Sequence, residues 1–154
     1  MKNLSYESWV AQFVENLSEY FNFAGWSFHV EYNDDDSKDG CYGDNNINTP
    51  YQFSTITLYK QSKLDFESGE RDLLVMAVVH EMVHIFLDPF HDYITPHLSP
   101  TSAPHFMNTL EQQTQKLTMV FLKTLPEDII PPFPKVKKRT NGTYNSASKD
   151  DKQK

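Results

Sequence analysis

A chain of 154 residues with 38% hydrophobic and 14% aromatic content suits one domain around one modest core and leaves little room for a second. Its net charge of −7 is unevenly spread, near −12 over residues 1–134 and near +5 over 135–154, so the body is a poor partner for phosphate backbones and only the tail would bind nucleic acid, weakly. Cys41 is the one cysteine, which excludes an intrachain disulfide framework and a thiolate zinc finger; with no apolar leader or membrane-length apolar run read in the chain, a soluble cytoplasmic protein is expected.

In chain order, Trp9, Val10, Phe13, Val14, Leu17, Tyr20 and Phe21 recur at the three-and-four spacing of an amphipathic helix, with Ser5 placed to cap it and Gly25 beyond its end. Residues 26–32 alternate strictly, Trp26, Phe28, Val30 and Tyr32 against Ser27, His29 and Glu31, as a half-buried strand does. His29 falls on the polar face and reads as plain surface. Residues 33–50 gather acids, Asn and Gly and predict a long loop. Residues 51–60, rich in aromatic and β-branched side chains, predict a second strand.

A helix is expected to begin around Ser68, with Glu70 and Asp72 favoured by its dipole, and to stop at Pro89. Residues 89–105 contain four prolines and predict irregular chain. A last helix is expected from Asn108, its inward face formed by Leu110, Glu111, Thr114, Leu117, Thr118, Phe121, Leu122 and Leu125. Prolines after Leu125 end it, which divides the chain into a folded domain over 1–133 and a lysine-rich tail over 134–154 with the composition of disorder.

The chemistry concentrates in His80-Glu81-Met82-Val83-His84. Residues four apart stack on one helical face, so both imidazoles can address one divalent cation. Glu81, about 100° around the helix from His80, stays near that point without having to ligate, as a general base for water would. The bland alternative is two histidines on the face of a core helix. Apolar flanks on both sides, from Val75 to Val79 and from Ile85 to Leu87, favour the metal, because buried polar groups need partners. A catalytic zinc usually takes three protein ligands, and the motif supplies two.

The local route to a third ligand resembles the metzincin pattern, which wants Gly three residues and His six residues after the second histidine; here Leu87 and Phe90 stand there, and His91 is one residue late. The three-histidine single-strand RNA endonuclease pattern fails the same way. The distal route resembles the gluzincins, which implies Glu111 as the ligand from a following helix. Its alternative is a capping box from Asn108 to Glu111. His91, His97 and His105 stay open as further candidates.

The whole layout over residues 1–125 resembles a minimal zincin metallopeptidase, similar to small gluzincin-like peptidases predicted in bacteriophage and prophage. The resemblance implies an α+β fold, one Zn²⁺ on His80, His84 and Glu111, Glu81 as general base, and a peptide or protein substrate lying along the strand at 51–60. A tyrosine among Tyr51, Tyr59 and Tyr93 would assist the oxyanion. One departure is Gln115, where thermolysin-like relatives carry an Asp that orients a histidine. The rival reading is a non-catalytic binding or assembly protein that keeps zinc for stability.

Overall fold

A computed structural model describes residues 4–34 and 41–133; the expected tail at 134–154 lies outside them. Among the described residues the fold is α+β, with four α-helices and a three-stranded sheet. Helix α1 (Tyr6–Tyr20) starts where Ser5 accepts a hydrogen bond from the Ser8 amide at 3.2 Å, a cap worth about 1 kcal/mol. Its apolar stripe, from Trp9 to Leu17, is fully buried.

Strands β1 (Ser27–Asn33), β2 (Gly43–Asn48) and β3 (Phe53–Tyr59) lie in the order β1-β3-β2, with β3 parallel to β1 and antiparallel to β2. Ser54, Ile56 and Leu58 point from β3 into the core. Two expectations are corrected here. The run at 33–50 is not all loop, since β2 forms within it, and β3 is the central strand, so among the described residues the sheet edges are β1 and β2 and not 51–60. The sequence of β2, Gly-Asp-Asn-Asn-Ile-Asn, has low strand propensity. Tertiary bonds make the strand instead: Ser54 Oγ donates to Asn45 Oδ1 at 2.6 Å, and the Tyr59 hydroxyl donates to Asp44. At Gly43 a Cβ would come within 2.9 Å of both the Thr57 carbonyl oxygen and Leu58 Cδ2, so only glycine lets β2 approach this closely.

Helix α2 (Lys60–Ser68) follows β3 directly and ends at Gly69, whose φ of 87° gives a left-handed stop. It takes Lys60 out of the expected strand. Helix α3 (Arg71–Ile94) starts later than Ser68 and runs through Pro89. Proline there removes one backbone hydrogen bond, but the preceding residue is fixed from outside the helix, where Thr49 Oγ1 donates to Asp88. By length and a mean hydropathy of 1.6 over an 18-residue window, the helical segment Arg71–His97 could cross a membrane, yet half of that window is buried, and residues from Leu74 to Ile85 belong to the core. By composition this corrects the expectation that the chain has no membrane-length apolar run.

Helix α4 (Ala103–Thr124) packs along α3 and begins five residues earlier than expected, with Pro104 in its first turn. Asn108 is therefore inside the helix, and the capping-box reading of Glu111 falls. Phe21, Phe86 and Phe121, with ring centroids 4.8 to 5.7 Å apart, tie the end of α1 and the middle of α3 to α4. The chain after α4 returns to α1, where Trp9 Nε1 donates to the Pro131 carbonyl at 3.0 Å and Phe133 packs on the Trp9 ring.

Candidate metal centre

Helix α3 carries His80 and His84 on one face, a turn apart, and their Nε2 atoms are 3.2 Å from each other. Glu111 reaches across from α4. One of its carboxylate oxygens is 3.0 Å from His80 Nε2 and the other 3.5 Å from His84 Nε2. The histidines are largely enclosed, at 16% and 26% side-chain exposure, while Glu111 is more open at 55%. Atoms bound to one tetrahedral zinc at 2.0–2.1 Å stand about 3.3 Å apart, so these separations fit that donor set without rearrangement of the helices. Two imidazoles and a carboxylate also suit zinc chemically.

Burial and the neighbouring His80 lower the affinity of His84 for a second proton, against an opposing pull from Glu111. A neutral ring has the lone pair that a metal needs. Glu81 is 5% exposed and its pKa is pushed up to about 8, first by burial and then by the negative charges of Asp44 and Glu111. Glu81 lines a cleft of about 710 Å³ together with Gly43, Asp44 and Asn45 of β2, Met76 of α3, and Met107 and Leu110 of α4. Asn45 Nδ2 donates to the Glu81 carbonyl at 2.7 Å, tying the strand to the motif helix.

No family model matches this chain, no curated protein matches it, and no solved structure matches its fold.

The remaining candidates from the sequence separate cleanly. His91 lines the cleft but groups with Asp88 and Asp92, one turn and more beyond His84. His97 and His105 are exposed and outside the cleft lining; His97 lies against the Tyr93 ring at 6.0 Å, and the carbonyl of His105 accepts from Thr109. His29 is a surface residue beside Glu31 at 3.2 Å. Tyr51 and Tyr93 are 82% and 76% exposed and do not line the cleft, and Tyr59 is buried with its hydroxyl turned to Asp44.

Sequence reasoning missed Tyr42, Asp44 and Asn45, which all line the cleft. A signal was available in Gly43, a glycine flanked by an aromatic and an acid inside a run otherwise read as loop. It also gave no role to Thr114 and Thr118. Both are fully buried on α4, where Gln115 had been compared with the Asp of thermolysin-like proteins. Thr114 Oγ1 is 3.5 Å from His84 Nδ1, and Thr118 Oγ1 is 3.5 Å from His80 Nδ1.

Proposed function

We propose that this chain is a zinc-dependent metallopeptidase of the zincin kind, with His80, His84 and Glu111 as the metal ligands and Glu81 as the general base. The observation that carries the reading is the meeting of two Nε2 atoms and one carboxylate from two helices at 3.0 to 3.5 Å, beside a buried glutamate that opens on a cleft. A zinc ion with three protein ligands supplies a Lewis acid for the scissile carbonyl and a water whose pKa is lowered to about 7.

The chain's own residues divide the remaining work. Glu81 takes a proton from the attacking water and delivers it to the leaving amine, so its carboxylate must be ionised when the substrate is bound. Burial first, and the carboxylates of Asp44 and Glu111 second, hold its pKa near 8; a dication on the ligand triad would oppose the repulsion of those carboxylates. The outer edge of β2 is unpaired among the described residues and runs beside the cleft, so a peptide can be held by strand addition there. Asn45 keeps that strand at its distance from Glu81.

The test is cleavage of a peptide library by the zinc-loaded full chain and by Glu81→Gln. Wild type should cleave a subset of peptides, and Glu81→Gln should keep zinc while losing hydrolysis by at least a hundredfold. Stoichiometric zinc with no cleavage by either form would favour a metal-stabilised binding protein.

A further inference from the structure

Thr114 and Thr118 stand on α4 three and seven residues after Glu111, so all three side chains look at α3 from one face. Each threonine hydroxyl has one hydrogen and spends it on the main chain. Thr114 Oγ1 donates to the Leu110 carbonyl at 3.1 Å, and Thr118 Oγ1 donates to the Thr114 carbonyl at 2.8 Å. What each oxygen turns toward the imidazole 3.5 Å away is therefore a lone pair, and the ring has to supply the hydrogen of that contact.

We propose that Thr114 and Thr118 are positioning residues that accept the Nδ1–H of His84 and His80, fixing the ring planes and leaving both Nε2 atoms bare toward Glu111. The consequence for metal binding, and the placement of the hydrogen on His80, rest on the zinc reading above; the placement of the ring hydrogen on His84 does not. A metal-ligating histidine whose other nitrogen donates to a fixed acceptor is held in tautomer and orientation, and loss of such an acceptor typically lowers metal affinity 10- to 100-fold. In this chain two hydroxyls occupy that role, and each is itself fixed by its bond to the helix backbone. Glu111 lies nearer His80 than His84, so without a cation it competes for the hydrogen of His80. His84 is thus the ring that reports its threonine directly.

Valine and serine separate this role from packing. Thr→Val keeps the branched shape and removes the oxygen, whereas Thr→Ser keeps the oxygen and removes a methyl. Zinc affinity of the full chain, measured against a chelator, should fall tenfold or more in Thr114→Val and in Thr118→Val and stay within a few-fold of wild type in the serine variants. The second readout is the ¹⁵N spectrum of the metal-free protein at mildly alkaline pH. His84 should carry its hydrogen on Nδ1 in wild type and in Thr114→Ser, and lose that preference in Thr114→Val. The reverse order, with valine like wild type and serine impaired, would overturn the proposal, as would a wild-type His84 with its hydrogen on Nε2. If wild type binds no zinc and His84 still carries its hydrogen on Nδ1, the positioning stands and the metallopeptidase reading fails.

Discussion

Asn45 on the edge strand donates its side-chain amide to the backbone carbonyl of Glu81 at 2.7 Å, and its side-chain oxygen accepts the Ser54 hydroxyl at 2.6 Å. One side chain thus ties β2 to the central strand on one side and to the motif helix on the other. The strand that lines the cleft has weak propensity of its own, so this pair of hydrogen bonds, with the pairing to β3, holds it in place.

Asn45→Ala should accordingly cost about 1–3 kcal/mol of stability, two hydrogen bonds of ordinary worth, with zinc affinity nearly unchanged. In the proposed peptidase kcat/KM should fall, because β2 no longer holds its distance from Glu81. Denaturant melts together with zinc titration read both effects.

Gly43→Ala tests the close approach itself. The new Cβ would stand 2.9 Å from the Thr57 carbonyl oxygen and Leu58 Cδ2 and 3.4 Å from Glu81 Cγ, and backbone cannot yield as a flexible side chain can. A loss of about 1–3 kcal/mol is expected from overpacking, visible as a lower urea midpoint at unchanged m-value.

The raised pKa of Glu81 makes a prediction about pH. Its folded-state value near 8 lies above the ordinary carboxylate value of 4.5, so between those pH values the folded state holds a proton that the unfolded state has released. Stability of the metal-free protein should therefore fall as pH rises from about 4.5 to 8, by an amount on the order of a few kcal/mol from this group. Glu81→Gln has no such proton and should lose less stability over this interval. Melting curves of both metal-free proteins at pH 5 and pH 8.5 test it; parallel decline of the two would contradict it.

Much of this site was legible because helices announce their faces. The spacing of His80 and His84 fixed their common direction, and Glu111 was the one carboxylate on an otherwise inward face of its helix. What stayed hidden was set by tertiary contact. Residues 43–48 look like loop since nothing in Gly-Asp-Asn-Asn-Ile-Asn prefers a strand, and pairing with β3 and the bonds of Asp44 and Asn45 override that. Pro89 looks like a terminator, and Asn108 like a cap, although each helix continues past its signal. Thr114 and Thr118 were visible as inward residues, but only the placement of α4 against α3 shows that they face the far nitrogens of the two histidines.

In the proposed centre Glu111 is the ligand that the motif itself does not contain, and its replacement is the most direct test of that proposal. Zinc affinity by chelator competition should be compared in wild type, Glu111→Gln and His91→Ala. The account predicts that Glu111→Gln keeps the fold and loses zinc affinity by orders of magnitude, because a neutral amide does not replace an anionic oxygen, while His91→Ala binds zinc like wild type. Wild-type affinity in Glu111→Gln, with zinc lost in His91→Ala, would contradict it and move the centre toward Asp88 and His91.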